Sequence, residues 1–170
     1  MNPFIPNDLF YPLHIGYQWI YNNSNVETIV DTATFNGNLY YNIESSIIQP
    51  DFWIRQNDNA VCFIDTNDNS EHILFDFSAK PGNSWDMPDG YGCTVGDKIQ
   101  LISDSETITT PTGKFYNCYH FYHISHCMDG GLRHTWFAKG VGIVKYIYDS
   151  WFGIRESLLT SYSFVNPVSN

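Results

Sequence analysis

Apolar and polar residues alternate in short runs along most of the chain, and no window sustains a 3.6-residue apolar period. YQWIYN, VETIVDTATF, NLYYNIESSII, DFWIRQ and AVCFIDT read as strands. KIQLISDSETIT, KFYNCYHFYHISHC, LRHTWFAK and GIVKYIYD follow, and IRESLLTSYSF comes last. Between them stand NNSN, NGN, QP, NDN, TPTG, MDGG and GV. These separators carry hairpin chemistry, because Asn, Asp and Gly tolerate positive φ and Pro removes a ladder donor. The pattern predicts an all-β, antiparallel, strongly curved sheet or barrel of about 11–12 strands.

The same pattern occurs twice. LFYPLHIGYQW matches FDFSAKPGNSW, with Gly16 and Trp19 answered by Gly82 and Trp85. FNGNLYYNI around Gly37 matches PTGKFYNCY around Gly113, and WIRQNDNAVCFI from Trp53 aligns without a gap to WFAKGVGIVKYI from Trp136. The three matches keep their order while their offsets grow, as two copies would if the second had gained residues in PDGYGCTVGD and near MDGG, where turns tolerate insertion. The expected organisation is a single domain over residues 1–170. It contains two diverged β-meanders, at approximately 8–70 and 74–150, and a final strand at 153–164.

The alignment also orients the strands. Val61 and Phe63 match Val144 and Tyr146, whereas Cys62 matches Lys145, so the first set is expected inside and the second outside. Trp19, Trp53, Trp85 and Trp136 recur at equivalent points and are expected to anchor the core.

FYPLHIGYQWIY, TPTGKFYNCYHF and WFAKGVGIVKY together resemble a group of bacterial extracytoplasmic and lipoprotein-like β-domains of unassigned function. That group's pattern is Phe-Pro-Leu…Gly…Trp, then Pro-x-Gly-x-Phe, then Ala-Pro-Gly-Val-Gly-x-Val-Lys. The resemblance covers residues 8–164, and it departs at Ala138-Lys139-Gly140, where the pattern has Pro. It implies a curved sheet or barrel comparable to lipoprotein-carrier half-barrels, and an extracytoplasmic home; it brings no catalytic residues. The opening MNPFIPNDLFYPL has neither a charged nor an apolar leader region. The expected location is therefore periplasmic, outer-membrane lipoprotein or secreted if a signal peptide was removed, and cytoplasmic otherwise.

Charge narrows the partners. With 8 Lys plus Arg against 18 Asp plus Glu, the net charge of −10 offers no basic footprint for nucleic acid or an anionic membrane. No apolar run reaches the 18 or so residues of a transmembrane helix. The expected partner is a protein, glycan or lipid. Aromatics make up 17% of the chain and charged residues only 15%, a balance that suits pleated, half-buried surfaces.

Candidate chemistry is sparse. His120, His123 and His126 would share nearly one face on a helix, but on a strand His123 points away and the outer pair lie about 20 Å apart, so no metal is expected there. Asp65, Asn67, Asn69, Glu71 and Asp76 fit part of a calcium-loop template, yet Ser70 replaces its glycine and Asp76 its glutamate, and a polar hairpin explains them as well. Cys62, Cys93, Cys118 and Cys127 lack zinc spacing and are expected to be buried or free thiols. No nucleophile elbow, phosphate loop or singled-out carboxylate pair occurs, so no enzyme activity and no cofactor are expected.

Trp151 and Phe152, in DSWFG between two predicted strands, are the candidate binding residues, with Tyr91 in DGYG a weaker third. The two rings could equally cover an open barrel end. The expected function is that of a non-catalytic binding module of the envelope or a secreted one. A carrier sheltering an apolar small molecule in the β interior, or a glycan or lipid hydrolase, are the alternatives.

Overall fold

A computed structural model describes residues 9–48, 52–87, 96–126 and 130–164. Its first six strands are β1 (Gln18–Tyr21), β2 (Val26–Phe35), β3 (Asn38–Glu44), β4 (Trp53–Gln56), β5 (Ala60–Asp65) and β6 (Ser70–Asp76). The next six are β7 (Ser84–Asp86), β8 (Lys98–Thr110), β9 (Gly113–Ile124), β10 (Gly131–Ala138), β11 (Gly142–Asp149) and β12 (Arg155–Ser163). All belong to one antiparallel sheet in the order β6-β5-β4-β3-β2-β1-β12-β11-β10-β9-β8-β7. The sheet curls into a half-barrel, and the described residues contain no helix.

The order makes two meanders of six strands, joined where β1 pairs with β12, Gln18 opposite Ser163 and Trp19 opposite Tyr162. The two outer edges, β6 and β7, share no ladder. A side chain spans that seam instead: Trp85 on β7 donates its indole N–H to the Leu74 carbonyl on β6 at 3.1 Å. The tight turns use the residues that permit them. Asn36 and Gly37, with φ of 50° and 78°, form the β2–β3 turn.

The concave face is filled with rings. Phe137 packs against Phe75, Phe77, Phe121 and Tyr11, with centroids 4.7–5.9 Å apart and mostly edge-on or tilted. Trp19, Tyr21, Ile29, Leu101 and Leu159 complete this core from the strands around the junction. The segment 9–17 crosses it and ties the two meanders together. Tyr11 N–H meets the side chain of Gln56 on β4, and the Leu9 carbonyl accepts from Gly140 N–H in the β10–β11 turn at 2.7 Å. Trp19 donates to the Val141 carbonyl in that same turn at 2.6 Å. Gly142 is obligatory beside it: its φ is +103°, and a Cβ there would come within 2.7 Å of the Tyr11 ring.

Most of the strand reading agrees with this architecture; β2 coincides with VETIVDTATF. The strands β6 and β7 were not among the segments read as strands. β6 follows a polar hairpin, and β7 has only three residues. Val61, Phe63, Val144 and Tyr146 are buried as expected.

One expectation needs correction. Trp53 pairs with Ile64, so its indole lies on the opposite face from Phe63 and is only half-buried. Trp136 pairs with Lys145 and so stands on the outer side of the sheet, yet it is buried within the core cluster, as expected. Cys62 is on the outer face and buried, as expected of it and of the thiols; it pairs across from Arg55 and receives a contact from the Asn57 amide at 3.6 Å. The outer face of the sheet is itself partly covered by long side chains lying along the strands.

Candidate functional site

The predicted binding residues occupy the β11–β12 connection. Trp151 and Phe152 are 77% and 88% exposed, and Ile154 beside them is 74% exposed. The rings therefore do not cover a barrel end. They project from a turn closed by its own bonds: Gly153 N–H donates to the Ser150 carbonyl at 2.8 Å, and Phe152 N–H donates to the Ser150 hydroxyl at 3.3 Å. Gly130 lets the turn's base pack tightly, since a Cβ there would meet the Asp149 carbonyl oxygen at 2.2 Å. Two acidic groups flanking the tip are paired with cations, and Arg155, next to Ile154, is exposed. Asp149 meets Arg133 at 3.6 Å, and Glu156 meets Lys145 at 2.6 Å. Tyr91, Cys93 and Cys127 lie outside the described residues.

The histidine trio is dispersed, as the strand geometry requires. His123 points into the core, where burial pulls its pKa down to about 3. His126 pairs with Asp97 at the strand's end. His120 lies on the outer face and makes contacts that spacing along one strand could not reveal. Its Nδ1 is 2.7 Å from Glu106 Oε1 on β8, and its Nε2 is 2.8 Å from His134 Nδ1 on β10. Around this chain of bonds stands an aromatic stack. His120 lies on the Trp136 indole with centroids 4.1 Å apart, His134 stacks on Tyr122 at 4.8 Å, and Lys145 Nζ sits 4.6 Å from the Trp136 centroid. Glu106 Oε2 accepts the Trp136 N–H at 2.7 Å.

Burial lowers the pKa of both histidines, that of His134 to about 4, so both rings are neutral at pH 7. Glu106 then fixes the protons. An ionised carboxylate only accepts, so His120 donates from Nδ1 and its Nε2 accepts from His134 Nδ1–H.

In the first meander the outer face carries a different polar group. Arg55 grips Glu71 through two nitrogens, Nη2 at 2.8 Å from Oε1, and the Tyr40 hydroxyl donates to the same carboxylate. Glu71 is thereby spent on Arg55. Asp65 and Asp76 sit at opposite ends of the β5–β6 ladder, opposite Ser70 and Ala60, and Asp65 Oδ1 accepts from Asn67 within its hairpin. The calcium template thus resolves into a turn. Cys62 and Cys118 are buried, not in disulfides, and burial pushes each thiol's pKa up to about 11.

Among the described residues two acidic groups are buried: Asp97, which accepts from Ser125 and from His126 N–H, and Glu27. Glu27 on β2 is fully buried; its Oε1 accepts the Ile47 N–H at 2.7 Å, and Oε2 is 3.1 Å from the Tyr21 hydroxyl. Tyr21 is also 3.0 Å from the Ile143 carbonyl. A phenol has one proton, so it satisfies both neighbours only if it donates to Ile143 and accepts from a protonated Glu27. Burial, which raises this carboxyl's pKa to about 7, favours that arrangement.

No family model and no curated protein matches the chain. Among solved structures, the chain is similar to one from Bacteroides fragilis assigned as an exported protein with a YmcC-like fold, with a TM-score of 0.50 and 14% identity over 92% of this chain and 99% of that one. A second, assigned as a lipoprotein of Parabacteroides distasonis, gives a TM-score of 0.43 and 13% identity over 92% of this chain and 99% of that one. At such identity the first likeness shows a shared fold: this half-barrel is also the architecture of a Bacteroides protein assigned as exported.

Proposed function

We propose that this chain is a non-catalytic docking domain of the cell envelope or of secreted material, and that its docking element is the 151–154 tip. The observation that carries this reading is the exposure of Trp151, Phe152 and Ile154 on a turn stiffened from within. An extracytoplasmic home draws support from the fold shared with an exported protein. The reading takes the domain as a duplicated meander, in keeping with the six-plus-six strand order.

The tip's chemistry fits a neutral lipid interface. A Trp with a free-standing indole beside Phe and Ile is the composition of interfacial anchors. Burying the three side chains is worth roughly 5–9 kcal/mol before the cost of association, comparable to one short acyl chain, so docking is reversible. The acidic chain repels anionic lipid, whereas beside the tip Asp149 and Glu156 are paired with Arg133 and Lys145, and the exposed Arg155 can face the phosphate of a zwitterionic headgroup.

The concave rings are engaged with one another, Phe10 on Phe77 at 3.9 Å for instance, which favours docking outside over carriage inside. Among the described residues, the carboxyl with a strongly raised pKa, Glu27, is sealed from solvent, which favours binding over catalysis.

Flotation with phosphatidylcholine vesicles tests the reading. The wild-type chain is expected to float, and the combined Trp151→Ala, Phe152→Ala, Ile154→Ala variant is expected to stay in solution with its Tm within about 2 °C of wild type. Equal flotation of both proteins, or of neither, overturns lipid docking by the tip.

A further inference from the structure

We propose that His120 and His134 form a two-nitrogen chelate for a divalent transition-metal ion with tetragonal preference, Cu2+ above all, on the outer face of the second meander. Register brings the two rings together. His120 lies opposite Trp136 and His134 opposite Tyr122, so the histidines are diagonal neighbours on one face of adjacent antiparallel strands. Their facing nitrogens, His120 Nε2 and His134 Nδ1, are already 2.8 Å apart.

The present 2.8 Å separation is that of a hydrogen bond, with the His134 proton on the line between the two nitrogens. Two nitrogens each about 2.0 Å from a metal at adjacent corners of a square also stand about 2.8 Å apart, so once that proton has moved the rings must turn but the strands need not separate. Cu2+ favours such corners and heads the affinity order. No group of three or more His, Cys, Asp or Glu among the described residues converges on one point. Water fills the remaining positions.

The surroundings are those of a ligand histidine. Glu106 holds His120 from behind through Nδ1–H, which leaves Nε2 as a lone pair aimed at His134 and makes it a better donor. Glu106 is itself anchored by the Trp136 indole N–H. The rings of Trp136 and Tyr122 flank the two imidazoles. The nearest cation, Lys145, is drawn toward Glu156 at 2.6 Å and lies over Trp136. Metal entry turns both imidazoles away from their hydrogen-bonded orientation, so that the two lone pairs leave the line between the nitrogens and converge on one ion. The proton on His134 Nδ1 moves through solvent to its Nε2; both rings stay neutral, and no net proton is released.

The test uses tag-free, chelator-treated protein titrated with Cu2+ and followed by electron paramagnetic resonance and tryptophan fluorescence. One equivalent is expected to bind with splitting from two equatorial nitrogens and to quench Trp136, whose ring adjoins His120. His134→Phe, which keeps a ring on Tyr122, is expected to weaken binding at least 10-fold and to abolish the two-nitrogen splitting. Glu106→Gln is expected to weaken it about 10-fold while keeping that splitting. Trp136→Phe is expected to lose most of the quenching while retaining the two-nitrogen splitting. The proposal fails if His134→Phe retains wild-type affinity, or if the wild-type spectrum lacks the nitrogen pair.

Discussion

The two faces of this sheet handle polarity in opposite ways. On the concave face, polar groups are few and sealed, and burial favours their neutral forms: Glu27 shares its bond with Tyr21, and His123 is held uncharged beside Thr135. On the outer face they are numerous and lie flat along the strands. There Arg55, Tyr40 and Glu71 interlock in one meander, and Glu106, His120, His134 and Lys145 interleave with Trp136 in the other. Inside, a charge would have no solvent to answer it, so the site adjusts its protonation. Outside, charge is tolerated because long stems and rings cover apolar surface while their heads reach water or one another. A half-barrel with so few charged residues thus concentrates them where two-sided burial would otherwise be needed.

If that contrast is right, interior variants should be costly and exterior ones mild. Phe137→Ala removes a ring touching four others and is expected to cost about 3–5 kcal/mol, read from urea unfolding midpoints. A loss below about 1 kcal/mol would show that the concave rings are not a close-packed core.

Glu27→Gln comes next. The folded carboxyl's pKa is raised to about 7, above its ordinary 4.5, so the folded state holds the proton more tightly than the unfolded chain. The stability it contributes is complete below about pH 4.5 and is lost as pH rises through 7, a swing of about 3 kcal/mol. Glutamine copies the protonated acid's donor. The variant is expected to match wild type near pH 4.5 and exceed it at pH 8, and unfolding at the two pH values measures the difference. Equal pH profiles would mean the carboxyl is not desolvated as described.

Arg55→Ala should be the mildest. The pair with Glu71 is partly solvated, so a loss near 1 kcal/mol that shrinks in 0.5 M salt is expected. A loss matching that of Phe137→Ala would erase the distinction between the faces.

The sequence conveys one face better than the other. Alternation and turn residues place β2, β5, β8, β9 and β11, because each is long enough for period two to show. They mislead at Trp53, and they place Trp136 in the core without telling its side of the sheet. Ring size argues for burial, but only the register with Ile64 and Lys145 tells which face buries the ring. Cys62 shows the same gap, since alternation cannot tell that Arg55 and Asn57 cover an outer position. The histidines of YHFYHISH are conspicuous, yet the partner that matters, His134, stands on the next strand in LRHTWFAK. Nothing short of the hairpin register joins them. Trp151 and Phe152 were legible as loop residues, while their exposure depends on the Ser150–Gly153 turn holding them away from the core.

The junction of β1 with β12 sets a timetable for the chain. Residue 18 finds its partner at residue 163, so the central ladder has the longest loop of any in the sheet to close. As the polypeptide emerges, β1 to β6 can assemble in sequence, but β1 keeps a bare inner edge until nearly all of the remainder has been made. Refolding should be slow, governed by this late closure, and most prone to strand exchange between molecules before β12 docks. The β1–β12 ladder at the centre of the sheet is expected to close last.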